Sequence, residues 1–290
     1  MLPVHLSFGR PGANFRIDGA VSRQLGCYAI GFEGLTFDNR FLGGSWGAHP
    51  GWVIVGRVRA GELLFEGEVL GAGAAFVIPA PVLTSRTTVI RTRGDEVVLV
   101  ALRVREEDFL IAPASAPTRI ASPRWSGAFD ALEDRLTRRA PPDDGLARVL
   151  RELLEGLATH GLIRDGAAGA RTALTSADRV VARVASAVFP MLSRLAKRPA
   201  MIDLIERTGL TERQLSRDLV RVQTDFELLD RGWRQALFRW RVTAGALLLS
   251  AEDVSLQDAA RLAGYASLKA MGRAFADAGL PSPSEVRDLI

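Results

Sequence analysis

Cysteine is almost missing from this chain of 290 residues, with Cys27 the only one. That excludes an intrachain disulfide framework and suits a reducing cytoplasm. Cys27 itself reads as a buried small hydrophobe or as a reactive thiol. Lysine is scarce too, Lys197 and Lys269 being the only two, so nearly every basic residue is arginine. High genomic GC content gives such a bias without any functional cause. The three histidines, His5, His49 and His160, are scattered and form no H-x-H pair, so none has metal-ligand spacing. No run of about 18 apolar residues occurs, which argues against a membrane-spanning helix. The opening "MLPVHLSFGR" lacks a basic stretch followed by an apolar one, so no signal peptide is expected. No G-x-S-x-G, Walker A or G-x-G-x-x-G motif stands in the strand–helix context it needs, so catalysis has no visible carrier and no cofactor is expected.

What is present is the composition of a globular protein, with 48% hydrophobic and 24% charged residues. The length suggests two domains. The net charge of +4 points weakly to polyanionic partners. Between Thr175 and Ile290, seventeen basic residues face fourteen acidic ones. With so small a surplus, the placement of charge has to decide.

Three regions follow one another. Residues 1–110 are rich in Gly and β-branched residues. "GWVIVGRVRAGELLFEGEVLGAGAAFVIPAP" reads as three strands joined by Gly turns, and "EVVLVALRV" as another. Many short strands with such turns predict an all-β barrel or sandwich. Glu62, Glu66 and Glu68 share one strand face, which reads as a solvated edge rather than a metal site. "GGSWGAHPGW" places Trp46, His49 and Trp52 close together. They can line an apolar effector pocket with one polar group, or simply pack as a loop.

Residues 111–174 begin as a loop and turn helical. Leu146, Val149, Leu150, Leu153, Leu154 and Leu157 form one stripe along a helix. The stripe packs on the β-domain or forms a homodimer interface. "RDGAAGARTALTS" reads as a linker.

Residues 175–290 are expected to be all α, with Thr175 or Ser176 capping the first helix. Two similar units stand at about 200–222 and 255–277. Each is a short helix, a turn glycine (Gly209, Gly264), a capping hydroxyl (Thr211, Ser267) and a second helix. The first unit's second helix buries Leu215 and Leu219. It lines up Arg213, Arg217 and Arg221 at i, i+4 and i+8, with Gln214 and Ser216 nearby. Such guanidiniums can read guanine or grip phosphate, or can form an ordinary solvated face. The second unit buries Met271 and Phe275. A long apolar helix, "WRQALFRWRVTAGALLLSAED", joins the units.

This arrangement, ending in G-Y-x-S-(x)7-F-(x)7-P-S-(x)2-R, resembles the AraC/XylS transcription regulators. The likeness is carried by Gly209, Leu210, Leu215, Ser216, Arg217, Arg241, Leu248, Leu249, Ala260, Gly264, Tyr265, Ser267, Arg273, Phe275, Pro283, Ser284 and Arg287, over about 115 residues. It implies a cupin-like N-terminal β sensor domain, a helical connector and a C-terminal double helix-turn-helix. It further implies double-stranded operator DNA as partner, RNA polymerase and a small-molecule effector as others, and no enzymatic activity. Each second helix would enter the major groove, about one DNA turn (~34 Å) apart. The base-reading face falls on Arg213, Ser216 and Arg217, and on Leu268, Lys269, Gly272 and Arg273. Departures are Ile205 for Ala, Thr224 for Gly, about six extra residues through "DFELLDRGWRQ", Met271 for Phe, Gly272 for Ser or Thr, and Leu280 for Gly. Two other readings stay open: a cupin-type enzyme with a helical appendage, and an interaction protein whose helix-turn-helix pair is degenerate.

Overall fold

The computed structural model describes residues 1–41, 51–65, 67–85, 88–110, 118–120, 125–165, 179–227 and 232–290. The N-terminal part is a single antiparallel sheet, as expected for an all-β domain. Its strands are β1 (Leu2–Arg10), β2 (Ala13–Val21), β3 (Leu25–Glu33), β4 (Trp52–Phe65), β5 (Glu68–Leu70), β6 (Ala75–Pro79), β7 (Ile90–Arg105) and β8 (Thr118–Ile120). The order is β1-β2-β3-β7-β4-β6-β8, with β5 paired to β4. The expected Gly turns within 51–81 are only partly realised. Gly56 and Gly61 lie inside the long strand β4. A Cβ on Gly56 would fall 2.3 Å from the Phe76 ring. Gly61, at φ +67°, sits among the register shifts between Val58 and Glu62. These glycines serve a close ring contact and a bulge, not turns.

Strand alternation gives the sheet two apolar faces. On one face, Phe8, Phe15 and Phe32 stand in register across β1, β2 and β3. On the other, Leu25, Cys27, Val53, Val55, Leu102 and Val104 pack against two helices, α1 (Ser126–Thr137) and α2 (Asp144–Thr159). Asp143 caps α2, accepting from the Leu146 N–H at 2.8 Å. The Leu146–Leu157 stripe is wholly buried in this layer. Of its two sequence readings, packing on the β-domain is the one realised, and the stripe is not available for a dimer interface. Cys27 is buried there as well, its thiol donating to the Ala20 carbonyl and pushed up to about 12 by burial. It is a core residue, not a reactive thiol.

The C-terminal part is helical: α3 (Arg179–Leu192), α4 (Met201–Thr208), α5 (Glu212–Phe226), α6 (Trp233–Leu249), α7 (Leu256–Leu262), α8 (Leu268–Asp277) and α9 (Pro283–Leu289). Thr175 and Ser176 lie outside the described residues. The aromatic face of β1–β3 shares one core with these helices. Trp240 of α6 is the joint. Its ring meets Phe8 edge-on at 5.5 Å, and its indole N–H donates to the Leu192 carbonyl at the end of α3 (2.9 Å). Among the described residues no helix is long and apolar enough to cross a membrane.

Candidate nucleic-acid interface

Both paired units form as helix, turn, helix. In the first, Gly209 ends α4 in the left-handed region (φ +65°), which glycine adopts without strain. Thr211 then starts α5 with a reciprocal cap. Its hydroxyl oxygen accepts from the Gln214 N–H (3.3 Å), and Gln214 Oε1 accepts from the Thr211 N–H (3.1 Å) and hydroxyl (2.9 Å). Gln214 was expected on the DNA-facing surface. It is exposed, but its carbonyl oxygen is already engaged, leaving only the amide NH2 to donate.

Leu215, Leu219, Val222 and Phe226 turn into the core, and α5 packs on α3. The opposite side carries Arg213, Ser216, Arg217 and Arg221, all exposed. Among the described residues neither Arg213 nor Arg217 has an ion-pair partner, while Arg221 lies 4.0 Å from Asp218. Val220 is 48% exposed and projects between Ser216 and Arg213 on the helical wheel. Its sequence signal is ambiguous, because a valine beside Leu219 in an amphipathic helix is ordinarily core.

The second unit is capped by Ser255 at α7 and Ser267 at α8. Met271, Ala274 and Phe275 are buried. Gly245 of α6 lets this helix approach closely, since a Cβ there would stand 3.2 Å from Phe275. Lys269 and Arg273 are exposed; Leu268 and Gly272 are half-buried. Arg287 of α9 ties the assembly together by donating to the Val254 carbonyl (2.5 Å). The half-buried Arg241 guanidinium lies beside the Tyr265 hydroxyl. Burial lowers the former's pKa and raises the latter's.

The two units are not bridged simply by one long helix. The first is carried by α3 and the second by α6. They meet where Gly264 (φ +84°) lies against the Leu195 carbonyl, just before α4, and where Arg198 donates to the Tyr265 carbonyl (3.4 Å).

The far end of α5 meets the β-domain. Glu227 closes the helix in the left-handed region at φ 51°, a conformation costing a non-glycine residue about 1 kcal/mol. Arg103 of β7, 1% exposed, donates to the carbonyls of Phe226 (2.7 Å) and Glu227 (3.3 Å). Its guanidinium lies 4.2 Å from the centre of the Trp52 ring, and that of Arg105 lies 3.8 Å from it. The Trp52 indole N–H donates to the Glu227 carboxylate, and Arg23 pairs with Asp225 at 2.7 Å. Trp52 therefore sits in an interdomain contact. Trp46 and His49, its expected companions, lie outside the described residues, as does Glu66. Among the described residues no cluster of His, Cys, Asp or Glu could hold a metal. His5 pairs with Asp18 (3.1 Å), which also takes Arg16 and Arg139, and Glu62 pairs with Arg93.

No protein-family model and no curated protein matches the chain. Among solved structures it is similar to ToxT from Vibrio cholerae at 11% identity, over 92% of this chain and 99% of that one, with a TM-score of 0.35. A ToxT structure bound to (E)-4-(8-methylnaphthalen-1-yl)but-3-enoic acid gives 9% identity, 92% and 100% coverage, and a TM-score of 0.36. The AraC-like transcriptional activator CuxR gives 12% identity, 74% and 80% coverage, and 0.31. Likenesses of this size establish no common family; the helix geometry stands on its own.

Proposed function

We propose that the chain is a sequence-specific DNA-binding transcription regulator of the AraC/XylS type. The observation that carries this reading is the paired helix-turn-helix units, with Arg213 and Arg217 exposed and, among the described residues, without an ion-pair partner on the second helix of the first. Guanidinium groups held this way suit the O6 and N7 atoms of guanine in the major groove. Val220 adds an apolar surface for a thymine methyl. In the second unit Lys269 and Arg273 supply phosphate contacts, while Leu268 and Gly272 offer no hydrogen-bonding side chain. The first unit thus carries most of the sequence discrimination and the second mainly positions the protein.

Control enters through the β-domain, which shares a core with the DNA-binding helices. A small molecule or an assembly step acts there by favouring one domain arrangement over another. RNA polymerase is the further partner that the resemblance implies. With the Leu146–Leu157 stripe buried, a homodimer would need a different surface.

The test is selection of bound sequences from a random duplex pool by the full chain. Recovery of a site with one strongly specified segment, and a neighbouring weakly specified one about a helical turn away, is the expected result. A pool that stays random after repeated rounds would refute the reading.

A further inference from the structure

The C-terminal end of α5 poses a problem that its own sequence cannot solve. A helix leaves its last carbonyls without partners, and its negative end disfavours carboxylates. Yet the closing residues are Asp225, Phe226 and Glu227, and Glu227 takes a left-handed conformation that usually falls to glycine. Among the described residues, the groups that answer this come from the β-domain. Arg103 takes the Phe226 and Glu227 carbonyls. Arg23 meets Asp225, and Arg105 stands 3.5 Å from the Glu227 carboxylate. The Arg103 and Arg105 guanidiniums both lie over the Trp52 ring, and Trp52 donates to Glu227. The cation–π contacts with the indole help to hold both guanidiniums in place.

We propose that Trp52, Arg103 and Arg105 are positioning residues for DNA recognition: the β-domain supplies the C-terminal cap of the first recognition helix and so sets the aim of its reading face. This deepens, and rests on, the regulator reading above. The contact does not occlude DNA. Arg213, Ser216 and Arg217 stay exposed while the far end of α5 is held, so the docked arrangement leaves the reading face accessible. A change at the start of β4 or the end of β7 would therefore reach the first half-site and leave the second untouched.

The experiment uses the full chain and the DNA site it selects, with Trp52→Phe, which keeps a ring but loses the indole N–H, and Arg103→Met, which keeps the stem but loses the donors. Both should weaken specific binding about tenfold, within the usual range of coupling between sites. In both, the loss caused by Arg213→Ala should shrink while that caused by Lys269→Ala stays the same. Backbone amides at the end of α5, residues 223–227, should exchange with solvent faster, and those of α8 should not. Unchanged affinity, or equal weakening of the Arg213 and Lys269 contributions, would overturn the proposal, since a merely structural contact loosens both units alike. A wild-type chain that binds no DNA would remove the regulator reading instead. Amide exchange at 223–227 still reports on the cap in that event, and an unchanged rate would overturn it.

Discussion

Gly264→Ala should destabilise the chain by about 2–5 kcal/mol and weaken DNA binding with it. Two costs combine. At φ +84° a Cβ is strained wherever it points, and here it would also lie 2.3 Å from the Leu195 carbonyl oxygen and 3.0 Å from its carbon. Backbone atoms cannot rotate away as a side chain can, so the turn or the segment before α4 has to move. That segment is where the two units touch. The substitution therefore changes their separation as well as the stability of the second. Two other glycines calibrate the effect. Gly209→Ala, at φ +65° with nothing within 4 Å, should cost only about 1 kcal/mol. Gly272→Ala, inside α8 with only Pro283 near at 3.9 Å, should be neutral or stabilising by up to about 1 kcal/mol. Denaturant unfolding of the three variants gives the ranking. Equal effects at Gly264 and Gly209 would show that the Leu195 contact contributes nothing.

Arg217→Ala and Arg213→Ala should each lower discrimination at one position of the selected site by about 1–3 kcal/mol, leaving other positions nearly unchanged. Arg217→Lys should not restore it, because an ammonium lacks the planar two-donor fork. Both arginines are exposed and neither supports the core, so the folded chain should unfold as the wild type does. Lys269→Ala is the contrast. It should weaken binding to all sequences alike and reduce the salt slope by about one, as loss of a phosphate contact does. Should Lys269→Ala instead abolish discrimination while the two arginine variants keep it, the roles of the units are reversed.

The C-terminal helices were largely legible because their signals are local. Turn glycines, capping hydroxyls and buried positions at helical spacing recur in both units, and Gly209, Thr211, Gly264 and Ser267 do in the structure what their chemistry predicts. The alternating strands of the N-terminal part were legible for the same reason. Long-range partners were not. Gly56 and Gly61 look like turns until Phe76 and the bulge of β4 are seen beside them. The leucine stripe of α2 showed that it must be buried, but not against what. Gln214 looked like a reading residue because the cap it completes uses the same side chain. The contact of Trp52 with Arg103, Arg105 and Glu227 is not legible because those residues are far from it in the chain. One local signal does point there: two carboxylates at the end of a helix, Asp225 and Glu227, demand basic groups from elsewhere.

The central claim is that the chain binds duplex DNA through its two helix-turn-helix units, and its most direct test is the salt dependence of that binding. With the full chain and its selected duplex, log K should fall linearly with log salt, by about 0.9 for each phosphate neutralised. Contacts from both units would make the slope several times that, and Lys269→Ala or Arg273→Ala should make it shallower. A flat slope, or no binding at low salt, would contradict the claim and leave an interaction protein with a degenerate pair as the better account.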